Sequence, residues 1–258
     1  VTGLLEVDAL SCRFGGVLAV NDVSFTVKEG AVYSVIGPNG AGKTTLFNLI
    51  SGIYAPTGGE VRLRGEPIQR LRPEALARRG MSRTFQNLQL CLNMDAVENV
   101  MIGAHLRLNS GLVAGILSLP RIKSADRECR AAAGRWMAFA GVGQYANAAT
   151  YQMPYGALKR LEIARALISE PRLLLLDEPA AGLNATETAE IEELVRRVAE
   201  TGVTVLLIEH DMKLVMSISD RILVMHHGAC LFEGTPEEVQ CHPDVIAAYL
   251  GVEVEEDA

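Results

Sequence analysis

Gly37-Pro38-Asn39-Gly40-Ala41-Gly42-Lys43-Thr44 stands directly after Ala31-Val32-Tyr33-Ser34-Val35-Ile36. The second stretch is almost continuously apolar, which predicts a strand covered on both faces. The first fits the pattern G-x-x-x-x-G-K-[ST], with a helix expected from about Lys43. Glycines at these positions let backbone N–H groups turn toward a phosphate, and the next helix offers its positive end. In that reading Lys43 reaches the outer phosphates and the Thr44 hydroxyl ligates Mg²⁺.

Outward from the loop, Leu4–Val7, Val23–Val27 and Glu60–Leu63 alternate apolar and polar residues, as half-buried strands do. From about Asn87 to Arg165 strand signals fade. Ala125, Cys129, Ala132, Trp136 and Ala140 fall at a helical period, and a helix is expected from Ala157 to Ser169. Leu106–Ile122 reads as a loop with weak helix. Arg172–Leu176 and Val203–Ile208 then read as buried strands. Asn184 and Glu187 form a capping box for a helix whose apolar face is Ile191, Leu194, Val195 and Val198. A helix from Asp211, strands Arg221–Met225 and Ala229–Phe232, and a helical Pro236–Leu250 complete the chain. The division predicted is an α/β core with a small antiparallel sheet (1–86 and 166–258) and an inserted helical subdomain (87–165).

Composition narrows the function. In 258 residues, Lys and Arg number 24 against 31 Asp and Glu, a net charge of −7. That balance argues against a nucleic-acid surface. Glu253, Glu255, Glu256 and Asp257 gather at the C-terminal end, an expected solvated tail. The five cysteines lie far apart, at no metal or redox spacing, and read as plain thiols. With no apolar run near the roughly 20 residues of a membrane span, the expectation is a cytoplasmic chain that is not itself a channel.

Further chemistry follows the loop in sequence order. Leu173-Leu174-Leu175-Leu176-Asp177-Glu178 is a buried strand ending in carboxylates; Asp177 can hold Mg²⁺ through water, and Glu178 can orient or deprotonate an attacking water. His210 follows the strand ending at Ile208, where ligands gather in α/β folds, and can contact a γ-phosphate. Gln86 sits where the core gives way to the helical block. Phe14 can stack on a base or belong to the core. His226 and His227 read as turn residues.

With these pieces in order, the chain resembles the ATP-binding subunits of ABC transporters over essentially its whole length. Six motifs follow one order: Phe14, the phosphate loop to Thr45, Gln86, a signature region, Asp177-Glu178 with Ala180–Asn184, and His210. Arg83–Gln86, Arg160–Arg165, Asp177–Asn184, Ile208–Met216 and the ending Pro243–Gly251 are similar to the larger ATPase of branched-chain amino-acid import systems.

The resemblance implies an ABC-type P-loop domain that binds ATP at Gly37–Thr45, with Mg²⁺ held by Thr44, Gln86 and Asp177. It implies a head-to-tail partnership with a second ABC ATPase, two membrane permease subunits, and a periplasmic substrate-binding protein. It also implies that Pro154, Tyr155, Gly156 and Ala157 face the partner's ATP. The signature departs from Leu-Ser-Gly-Gly-Gln: Met153-Pro154-Tyr155-Gly156-Ala157 lacks the hydroxyl at 154 and the amide at 157. Each lost bond to a charged group costs about 1.5–3 kcal/mol if unreplaced, so the ATP site using this signature is expected to be the weaker one. A nucleotide-sensing scaffold without turnover and a soluble non-transport ABC ATPase are the other classes weighed. Lys43, Asp177, Glu178 and His210 oppose the first; the absence of a coiled-coil insert or a second domain opposes the other.

Overall fold

The computed structural model describes residues 3–105 and 120–250. Most of the expected insert Leu106–Ile122 and the acidic tail lie outside the described residues. Two sheets organise the chain. The antiparallel one runs β2-β1-β4-β5, from β1 (Leu5–Phe14), β2 (Val17–Val27), β4 (Gly58–Leu63) and β5 (Glu66–Pro67). The larger runs β10-β9-β3-β8-β7-β6. Its strands are β3 (Val32–Ile36), β6 (Met81–Arg83), β7 (Leu173–Asp177), β8 (Thr204–Ile208), β9 (Arg221–His226) and β10 (Ala229–Gly234). All neighbours in it are parallel except β9 and β10.

Strands β3, β7 and β8 are buried along their whole length. The four leucines of β7 show why. Leu173 and Leu175 pack with α1 (Lys43–Ile50) and the antiparallel sheet, while Leu174 and Leu176 face the helical side. A strand sandwiched between two apolar layers has no polar face to show. On the helical side stand α3 (Ala96–Ile102), α4 (Pro120–Phe139), α5 (Tyr155–Leu167) and α6 (Ala185–Glu200). Helix α6 buries Ile191, Leu194, Val195 and Val198, each contributing about 1.5–3 kcal/mol by leaving water. Asn184 Oδ1 accepts from the Thr186 and Glu187 amides, both at 3.0 Å, which fixes where α6 starts. The remaining helices are α2 (Pro73–Arg78), α7 (Met212–Ile218), α8 (Pro236–Cys241) and α9 (Pro243–Leu250).

Several expectations shift. Strands β1 and β2 are longer than the alternating stretches, because register shifts between Val7 and Leu10 and again near Cys12 interrupt the alternation without ending the pairing. The stretch Pro236–Leu250, expected to be helical, is divided into two helices. His242 is extended ahead of Pro243, as the clash with a following proline ring demands. His226 ends β9, leaving only His227 in the turn. Helix α2 and strand β6 are additional elements, too short to carry a periodic signal in the sequence. The cysteines Cys12, Cys91, Cys129, Cys230 and Cys241 are free thiols. Among the described residues no helix is long and apolar enough to cross a membrane.

Candidate active site

The parallel register sets three strand ends side by side: Val35 pairs with Ile208, and Ile208 with Asp177. Gly37, Glu178 and His210 therefore emerge together at the C-terminal edge, where α/β folds bind ligands. There a cleft of about 330 Å³ is lined by Asn39, Gly40, Ala41, Gly42, Lys43, Thr44, Thr45, Ala19, Gln86, Glu178 and His210.

The loop geometry depends on glycine at two places. Gly37 and Gly42 have φ of 148° and 96°. A Cβ at Gly37 would run into the Met225 carbonyl, and one at Gly42 into the Ala19 carbonyl. Lys43 is only 5% exposed, and its Nζ donates to the Gly37 and Pro38 carbonyls at 2.7 and 2.9 Å. Burial pulls its pKa below the ordinary value, and the nearby Glu178 carboxylate opposes that. A cation folded back onto its own loop, above glycines with no room for side chains, fits a polyphosphate that would take over those contacts.

Opposite the loop, Glu178 sits at φ 49° at the end of β7, its amide donating to the Ile208 carbonyl at 2.9 Å. Both of its carboxylate oxygens are engaged. Gln86 Nε2 donates to Oε2 at 2.8 Å, and His210 Nε2 donates to Oε1 at 2.6 Å. Gln86, Glu178 and His210 thus form one hydrogen-bonded unit facing Lys43 across the cleft. Glu209 lies buried behind it, accepting from the Ala180 and His210 amides at 2.7 and 2.9 Å.

Asp177 is placed differently. It is buried and is not among the described lining of the cleft. Its Oδ2 accepts from Arg83 Nη2 at 2.8 Å, and Arg83 also reaches Asn48 Oδ1 at 2.8 Å and Ser51 Oγ at 2.6 Å. The Arg83 guanidinium lies between the rings of Phe47 and Phe85, 5.7 and 5.1 Å from their centroids. Phe14 is likewise outside the described lining. It is 46% exposed rather than a core residue, with its ring edge-on to Tyr54 at 5.3 Å.

The signature residues form a separate surface. Pro154 precedes α5 and Tyr155 begins it, both exposed, while Gly156 and Ala157 are buried. Gly156 packs against the Glu187 side chain, and the Tyr155 ring lies beside Gly182. Two residues elsewhere around the site carry contacts that motif reading missed. Arg83 grips Asp177, and Lys159 donates to the carbonyls of both Gln86 and Glu178. A usable signal was present for Lys159. It and Glu162 stand three apart among the apolar positions of a buried helix face, where charge is unusual without a partner.

A P-loop ATP-binding cassette is the class that this fold and cleft define. Residues 20–181 match the family described as ABC transporter, and residues 230–255 match the branched-chain amino acid ATP-binding cassette transporter family. The chain belongs to the ABC transporter family. It is 51% identical over 249 residues to the high-affinity branched-chain amino acid transport ATP-binding protein BraF of Pseudomonas aeruginosa, an alignment covering 96% of this chain and 98% of that protein. It is 47% identical to LivG of Escherichia coli K12, described in the same words, with the same coverage. A crystal structure of an ATP-binding cassette of an ABC transporter in its ADP conformation superposes with a TM-score of 0.84 at 27% identity, covering 97% of this chain and all of that one. A dimeric cassette in a post-hydrolysis state with ADP and Pi superposes with a TM-score of 0.76 at 25% identity, covering 90% of this chain and 98% of that one. As a member of the family the chain binds ATP and hydrolyses it.

Proposed function

We propose that this chain energises an importer of branched-chain or related amino acids from the inner face of the cell membrane. It works as one of two ABC ATPases closed head to tail on two membrane permease subunits, with a periplasmic binding protein delivering the solute. The solute rests on the names of BraF and LivG. The catalytic reading rests on one observation, the convergence of Lys43, Gln86, Glu178 and His210 on a single cleft.

The phosphates lie along Gly37, Pro38, Asn39, Gly40, Ala41, Gly42, Lys43, Thr44 and Thr45, and Phe14 supports the adenine. Thr44 and Gln86 in the cleft, with Asp177 behind them, would hold Mg²⁺, which would supply neutralisation of the phosphate charge. Glu178 polarises the attacking water, and His210 releases Glu178 to steady the γ-phosphate. Water then adds to phosphorus as the bond to the ADP oxygen breaks, a reaction governed by position and charge. Pro154, Tyr155, Gly156 and Ala157 meet the partner's ATP. Residues 87–165 form the lobe that carries this signature and transmits closure. A groove of about 410 Å³ beside it, edged by Ile53, Phe85 and Ile102, supports permease docking on that side.

The test is Mg-ATP hydrolysis over a range of protein concentrations, with Glu178→Gln alongside. Activity should rise faster than linearly with concentration. The variant should keep ATP binding and lose about 10²–10⁴-fold in rate. A variant that turns over at the wild-type rate overturns the role given to Glu178.

A further inference from the structure

Helix α5 points three charged side chains at the backbone of the Phe85–Gln89 segment. Lys159 Nζ donates to the Gln86 carbonyl at 3.2 Å, and the Gln89 amide donates to Glu162 Oε1 at 3.2 Å. Arg165 Nη1 donates to the Gln89 carbonyl, and Arg165 also pairs with Glu162 at 3.7 Å. Residues three apart on a helix share a face, so one stripe of α5 holds the segment that carries Gln86.

Lys159 does more than hold that segment. Lys159 is 3% exposed, and its ammonium donates to a second carbonyl, that of Glu178, at 3.4 Å. The side chains of those two residues are themselves bonded, Gln86 Nε2 to Glu178 Oε2 at 2.8 Å. The backbones of Gln86 and Glu178 are thus joined through Lys159 on one side, and their side chains are joined directly on the cleft side. Lys159 also stands one helical turn beyond Tyr155, its Nζ 5.8 Å from that ring's centroid. Burying an ammonium is costly unless its protons are satisfied, so the charge is retained where apolar residues would pack more cheaply.

We propose that Lys159 is a positioning residue for hydrolysis, tying the carbonyls of Gln86 and Glu178 to the helix that begins with Pro154–Ala157. When the start of α5 engages a nucleotide, Lys159 carries that engagement one turn along the helix to the chain's own Glu178. This relay rests on the reading that Pro154–Ala157 meets the partner's ATP. The positioning of Gln86 and Glu178 does not.

The test compares wild type with Lys159→Met and Lys159→Arg in the assembled complex. It measures ATP affinity, kcat, KM, the Hill coefficient for ATP and the melting midpoint. Lys159→Met should hold ATP affinity and KM within about twofold while kcat falls about 10–100-fold, with the Hill coefficient moving toward 1. Lys159→Arg, which keeps donors and charge, should recover part of kcat. An unchanged kcat in folded Lys159→Met overturns the proposal. So does a parallel fall of affinity, kcat and melting midpoint with no recovery in Lys159→Arg, since that marks a purely structural role. If Lys159→Met does not fold, Lys159→Gln, which keeps one donor group, is read by the same split. A wild type with a Hill coefficient of 1 removes the head-to-tail reading instead, and the positioning role is then judged on the kcat-against-KM split.

Discussion

The phosphate loop and the Met153–Ala157 stretch are both turns that open a helix, but different neighbours enforce them. At Gly37 and Gly42 a Cβ would meet backbone carbonyls, those of Met225 and Ala19. At Gly156 it would meet the side chain of Glu187, at 2.6 Å. Backbone held in a sheet yields little, whereas a glutamate side chain at a helix start can rotate. Every position of the loop pattern is kept, while the signature carries Pro154 and Ala157.

Gly42→Ala is expected to have the largest effect of the substitutions that probe this difference. Strain at φ 96° adds to the clash with Ala19, together on the order of 3 kcal/mol, or about a hundredfold in ATP affinity. Gly156→Ala should cost less, on the order of 1 kcal/mol, because a side chain must move and gives up its capping bond to the Asn184 amide. Titrating ATP against both variants and following both melting midpoints settles the matter. Equal damage at the two glycines would break the comparison.

The two signature replacements also separate. The resemblance treats Pro154 and Ala157 alike, as lost hydrogen-bonding groups. In the structure Pro154 is exposed, but Ala157 is 2% exposed and lies in the apolar cluster with Leu161, Ala180 and Ile191. Pro154→Ser can add a hydroxyl toward a phosphate, about 1.5–3 kcal/mol, and should tighten nucleotide binding at that site of the complex about tenfold or more. Ala157→Gln must first find room in a packed core, a cost of about 1–3 kcal/mol, and should lower the melting midpoint without raising affinity. Nucleotide titrations of the complex that rank the two variants the other way would show that position 157 opens outward on assembly.

The same contrast marks what could be read in advance. The phosphate loop was legible because its demands are local: glycine for the backbone, a lysine and a hydroxyl at fixed offsets. The buried strands β3, β7 and β8 were legible from continuous apolar runs, and the start of α6 from its capping box. Strand β6, only Met81–Arg83, carries no periodic signal because it is short and mixed in polarity. The tail of β1 hid behind its register shifts. The pairs that organise the site were out of reach for another reason. Arg83 meets Asp177 and Lys159 meets Gln86 across 94 and 73 residues of chain, and no local pattern encodes a meeting that only the sheet order creates.

Two buried carboxyls extend the comparison to pH, Glu162 on the helix that Met153–Ala157 opens and Glu209 behind the Glu178–His210 pair that faces the phosphate loop. Burial pushes both Glu162 and Glu209 above the ordinary carboxyl value of 4.5. Glu162 has the cations of Arg165 and Lys159 beside it, which work against that rise, whereas Glu209 has the Glu178 carboxylate nearby, which adds to it. A carboxyl whose folded pKa is raised contributes stability that is fully present below the unfolded value and is lost as pH climbs through the folded one. Glu209→Gln removes this titration. It also forfeits acceptor capacity toward the Ala180 and His210 amides, a loss that does not vary with pH. The variant should therefore be the less stable protein near pH 4.5, and the gap should narrow as pH rises from there. The corresponding gap for Glu162→Gln should narrow less. Melting midpoints of both variants against wild type, taken from pH 4.5 to 8, give the small difference directly. A flat gap for Glu209→Gln across that range would mean that its backbone donors hold the carboxylate ionised throughout.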